Sequence, residues 1–106
     1  MDENLKELDS SGSSCAIDQM GINGLDLIKL NAFNNSQIRY VSWMKNLKEL
    51  DASYESGINQ LGIKRLDLNK LDVCNNPQII DVSFMKNLKE LHASVFQEYI
   101  KWESKN

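Results

Sequence analysis

Pairs of leucines three residues apart, each followed two residues later by a small side chain, recur five times along the chain. They are Leu5, Leu8 and Ser10; Leu27, Leu30 and Ala32; Leu47, Leu50 and Ala52; Leu68, Leu71 and Val73; and Leu88, Leu91 and Ala93. The blocks begin at 4, 26, 46, 67 and 87, giving spacings of 22, 20, 21 and 20 residues. Within each block apolar and polar positions alternate, the period of a half-buried strand. A unit this short cannot cover its own apolar face, so the pattern predicts parallel strands stacked in an array. Two kinds of block alternate: residues 26–53 match residues 67–94 at 19 of 28 positions, which points to duplication of a two-block unit.

The second and fourth blocks continue as Asn35, Ile38, Val41 and Met44, and as Asn76, Ile79, Val82 and Met85. An inward-facing amide at Asn35 or Asn76 can satisfy buried turn backbone. The equivalent places in the other blocks hold Ser13, Glu55 and Phe96, so the asparagine ladder is expected to be interrupted. Those blocks also carry Ile17–Ile22 and Ile58–Ile63, whose spacing is compatible with one helical turn closed by Gly, without requiring it. After Ala93, Val95, Phe96, Tyr99, Ile100 and Trp102 fall at helix-like spacing and predict a capping helix within 94–106. Only Met1–Asn4 precede the first strand, so its edge is expected to be open. An open edge implies either a piece of a longer array or association at that end, including with a second copy.

The pattern resembles the short leucine-rich repeats of the internalin and phosphatase-regulator type, over about 90 residues. The Asn-rich wording is also similar to repeat arrays encoded by large amoeba-infecting DNA viruses and by amoebae. The resemblance implies an α/β solenoid across 1–106 as one domain, with a curved parallel sheet on the concave side and short helical or extended segments on the convex side. It also implies a non-catalytic module that presents its concave sheet to a protein partner. A self-assembling unit, a homodimer through the first coil, is the alternative.

Strand alternation sorts the outward residues into rows. Glu7, Lys29, Glu49, Lys70 and Glu90 form a ladder of alternating charge. Across strands about 4.8 Å apart it neutralises itself, each pair contributing at most about 1 kcal/mol. The next row is Asp9, Asn31, Asp51, Asp72 and His92. Beyond it, Phe33 and Tyr54 stand among small polar neighbours, a common form of anchor for protein recognition. Phe33, Tyr54, Asp51, Asp72, Cys74 and His92 are therefore the candidate binding face, with Tyr40 and Trp43 as a secondary surface. Packing of Phe33 over Tyr54, and of Trp43 into a convex ridge, are the structural alternatives.

Cys74, His92 and Asp72 are the residue types of a thiol nucleophile, its base and an orienting carboxylate. An open sheet supplies neither oxyanion donors nor a dry pocket, so no enzyme activity is expected. Asp51, Asp72 and His92 are too few to predict a metal, and no cofactor motif is present. The net charge of -3 and pI near 5.1 lack the electrostatic footprint of a nucleic-acid binder. No apolar run approaches the roughly 20 residues of a membrane span, and the first ten residues do not read as a signal peptide. Cys15 and Cys74 are expected to be too far apart to bond, and two free thiols fit a reducing, cytoplasmic setting. Twelve Asn against one Pro follows from block starts and turns that repeat Asn.

Overall fold

A computed structural model describes residues 4–102. Each block contributes one three-residue strand: β1 (Glu7–Asp9), β2 (Lys29–Asn31), β3 (Glu49–Asp51), β4 (Lys70–Asp72) and β5 (Glu90–His92). The strands form one parallel sheet in chain order. Leu8, Leu30, Leu50, Leu71 and Leu91 lie in register across it. We call a strand and the return that follows it a coil. The returns carry the chain back to a parallel position, so the molecule is a β-solenoid of repeated coils.

The alternation read from the sequence places the core. Leu27, Leu47, Leu68 and Leu88 are buried under the start of each strand, and Ile38, Ile58, Ile79, Val41, Val82, Met44 and Met85 fill the space beneath the returns. Coverage ends with the stack: Leu5, Leu8 and Ile17 at the front, and Leu91, Ile100 and Trp102 at the back, are only partly buried.

Among the described residues helix is almost absent. The return of the first coil makes one turn, α1 (Gln19–Ile22), capped by Asp18, whose carboxylate accepts from the Gly21 N–H at 2.9 Å. Its duplicate in the third coil is a 3₁₀ turn at Leu61–Ile63. Gly21 and Gly62 lie inside these turns rather than closing them. For Gly62 the reason is contact: a Cβ there would collide with the carbonyl oxygen of Arg39 on the preceding coil.

The expected capping helix does not form over 94–102; residues 103–106 lie outside the described part. Val95–Tyr99 instead make two turns, and Asp81 pairs with Lys101 in a parallel bridge. Gln97 and Ile100 stand three apart, as Asn35 and Ile38 or Asn76 and Ile79 do, so the segment is one more return. The spacing of turns and the spacing of a helix coincide over so few residues. Val95 and Phe96 remain 78% and 86% exposed rather than covering the coil below.

The asparagine ladder is interrupted as expected, but not by the residues expected. In the third and fifth coils the inward position after the strand is taken by Ser56 and Gln97, while Glu55 and Phe96 face solvent. These coils hold one more residue between strand and turn: the turn bonds run Asn35 N–H to Ala32 O and Asn76 N–H to Val73 O, against Ser56 N–H to Ser53 O and Gln97 N–H to Ser94 O.

Candidate functional site

The sheet face bounds a shallow groove of about 600 Å³ whose polar lining comes from the two strand rows, including Lys29, Glu49, Asp51, Lys70, Asp72 and His92. The alternating-charge row stands in the expected register, with ion pairs at two of its steps. Lys29 meets Glu49 at 3.6 Å and Lys70 meets Glu90 at 3.8 Å, both exposed, so these pairs set pattern more than stability.

The second row has a structural duty that strand alternation does not reveal. Asp9, Asn31, Asp51 and Asp72 each accept, through Oδ1, the backbone N–H two residues on: Ser11, Phe33, Ser53 and Cys74, each at 3.0 Å. This is an Asx turn, which ends each of the first four strands by offering the backbone a side-chain acceptor. Asp51 also accepts a close bond from the Ser53 hydroxyl. Bonds from Ser11 hold the Asp9 carboxyl below its usual pKa.

His92 breaks this row. Its Nε2 lies 3.2 Å from Glu90 Oε2 on the same strand, and the Ser94 N–H is taken instead by Gln97 Oε1 at 2.8 Å. Without a carboxylate at 92 the buried Ser94 hydroxyl has no partner. Asp72 and His92 are register partners, as expected, and Cys74 follows two residues after Asp72. The Cys74 thiol is pushed up from its ordinary value, first by burial and then by the Asp72 hydrogen bond and the Asp72 and Asp51 charges. Such a thiol is protonated and a poor nucleophile. Cys15 and Cys74 are both free.

Phe33 and Tyr54 come together at the end of the row, with ring centroids 5.2 Å apart and planes at 63°. Phe33 is half-buried and Tyr54 is 46% exposed. The backbone under Tyr54 is unusual. Gly12, Asn34, Tyr54 and Asn75 occupy equivalent places in successive coils, all with positive φ: 106°, 58°, 59° and 57°. Gly and Asn adopt that left-handed conformation readily, whereas a bulky aromatic does so at a cost. The sequence carried this signal in the column Gly-Asn-Tyr-Asn, but only the turn geometry gives it meaning.

Tyr40 and Trp43 stack 6.2 Å apart on the opposite surface, away from the groove. Trp43 is half-buried and donates its indole N–H to Leu25 O at 3.0 Å, which ties two coils together. Sequence reasoning missed Gln19 and Gln60. Gln19 accepts from the Arg39 and Tyr40 N–H groups and donates to Tyr40 O; Gln60 does the same for Ile80, Asp81 and the Asp81 carbonyl. Their shared place in the duplicated returns was the available signal.

Among the described residues no group of three or more His, Cys, Asp or Glu is arranged to hold a metal ion. No helix there is long and apolar enough to cross a membrane. No protein-family model matches the chain, and no curated protein and no solved structure matches it.

Proposed function

We propose that the chain is a non-catalytic interaction module of the leucine-rich-repeat type, which offers its groove and the adjoining turn edge to a protein partner. The observation that carries this reading is Tyr54. It holds a left-handed backbone, half exposed and edge-on to Phe33, where the residues of like conformation in the first, second and fourth coils are Gly or Asn. A residue that costs stability in its own turn is the kind retained for a contact outside the fold. Asp51 and Asp72 each keep one carboxylate oxygen clear of the turn bond and flank the same edge.

The mechanism is preorganisation. Stacked coils hold these side chains in place, so little conformational freedom is lost on association and a few anchors supply the affinity. The raised thiol of Cys74 supports a non-enzymatic reading, since nucleophilic chemistry needs the thiolate. Neither cofactor nor nucleic acid nor membrane enters the proposal, and the two free thiols fit a cytoplasmic setting.

The test compares proteins retained from cell extract, identified by mass spectrometry. Phe33→Ser with Tyr54→Ser removes the retained partner while the thermal unfolding transition persists. Retention equal to the unaltered chain refutes the assignment, and loss through Tyr40→Ser instead moves the contact to the opposite surface.

A further inference from the structure

Among the described residues no strand pairs with the outer edge of β1 or of β5, and the two edges are differently charged. Each exposes part of the core: Leu5, Leu8 and Ile17 at the front, Leu91, Ile100 and Trp102 at the back. An open strand edge with half-covered leucines favours pairing with another strand. What decides the partner is charge.

At the back edge, the Glu90 N–H bonds to Asn69 O and the His92 C=O accepts from the Val73 N–H, both toward β4. Backbone polarity alternates along a parallel strand, so the N–H and C=O of Leu91 point to the open side. A second β5, antiparallel and centred on Leu91, satisfies both groups by exchanging two hydrogen bonds between the leucines. In that register Glu90 lies opposite His92 of the other copy, twice. An imidazole donates to a carboxylate in either protonation state, so both cross-strand pairs are favourable.

Other ways of joining the ends are worse. At the front edge Lys6 and Ser10 bond toward β2, so the open groups belong to Glu7 and Asp9, and two front edges centred on Leu8 set those carboxylates opposite each other, twice. Head-to-tail stacking sets Glu90 beside Glu7, because a five-membered alternating ladder ends on glutamate at both sides. Like charges placed opposite are destabilising. His92 also departs from the Asx row and leaves the Ser94 hydroxyl without a partner, a local loss that an aspartate would avoid. In place of the turn bond His92 has only the exposed contact with Glu90 on its own strand, a pair that can be exchanged between two copies, and a local rule broken for so little points to a role outside the coil.

We infer that the chain forms a two-fold dimer through β5, in which two five-stranded sheets become one and the Glu90–His92 pairs select this arrangement. The pairing is independent of the partner-binding reading, since molecular mass is read without any partner present.

Sedimentation equilibrium of the full chain over a concentration series is the test. The mass rises toward twice the 12.1 kDa of the chain and stops there. Glu90→Lys or His92→Asp alone weakens dimerisation by about tenfold or more. The double variant Glu90→Lys/His92→Asp, with the charges exchanged across the pair, regains it. Glu7→Lys leaves the dimer unchanged. His92→Asp also satisfies Ser94, so a higher unfolding temperature shows that its loss of dimer is not a loss of fold. A monomer at every concentration, a dimer indifferent to the charge variants, or a mass that passes two chains overturns the proposal.

Discussion

Neighbouring coils are joined in two ways. Where an odd coil meets the even coil after it, side-chain amides do the joining. Asn35 Nδ2 donates to Ser10 O at 2.7 Å and Ile17 O at 2.9 Å, and Asn76 repeats this with Ala52 O at 2.7 Å and Ile58 O at 2.9 Å. Gln19 and Gln60 serve the far side of the same junctions. Where the second coil meets the third, backbone touches backbone. The Gly57 N–H bonds to Asn35 O at 3.0 Å, the Val41 N–H bonds to Gly62 O at 2.9 Å, and a Cβ on Gly57 would lie 2.5 Å from Ser36 O. Both answer one demand, that returns crossing a buried stack leave no polar group unpaired. An amide bridges a wider gap and tolerates small shifts; a glycine contact admits none.

That difference is open to test, and its largest expected effect is steric. Gly62→Ala drives a methyl group into the Arg39 carbonyl and costs about 3 kcal/mol in urea unfolding. Gly21→Ala, the duplicate position with nothing nearer than 3.6 Å, changes stability by less than about 0.5 kcal/mol. Equal losses at the two sites would remove the case for close backbone contact.

Asn76→Ala leaves the Ala52 and Ile58 carbonyls and the Gln78 N–H without their partner, and a loss of about 2 kcal/mol is expected. Asn35→Ala, nearer the front, should match it if the duplicated junctions are equivalent. A gap of several-fold between them would show that the array is not uniform.

Tyr54→Gly relaxes the left-handed position and raises the unfolding midpoint, offset in part by the lost Phe33 contact of about 1 kcal/mol. A strong fall in the midpoint would make Tyr54 a packing residue rather than an exposed anchor. The smallest effect concerns Asp67 of the third coil, which accepts the backbone N–H and the side-chain amide of Asn87 in the fourth. The backbone bond from Asn87, the first of its causes, holds the Asp67 carboxyl below its usual pKa. A lowered folded pKa gives stability present above the unfolded value and lost as pH falls through the folded one. Acid titration of stability should show this small loss below about pH 4, absent in Asp67→Asn.

Much of the site was legible in outline. The row that holds Asp51 and Asp72 follows from alternation, and the Phe33–Tyr54 contact from adjacent strands. Their turn-capping bonds and the left-handed column were not, because both depend on where the strand stops. One extra residue in the odd coils moved the inward position from Glu55 to Ser56 and from Phe96 to Gln97, a shift no periodicity of twenty or so residues resolves. The helix expected after Ala93 failed on the same account: a few apolar residues at suitable spacing satisfy a helix or a return equally, and stacking on the preceding coil selects the return.

The sequence by itself determined the array: five repeated leucine pairs have one way to bury their faces, which is beside one another, and their alternation set register and charge ladder together. Only the tertiary structure decided which amides bridge coils, which glycines must lack a side chain, and that His92 stands at an open edge. Those facts depend on distances between segments about twenty residues apart, and such distances exist only once the coils are stacked.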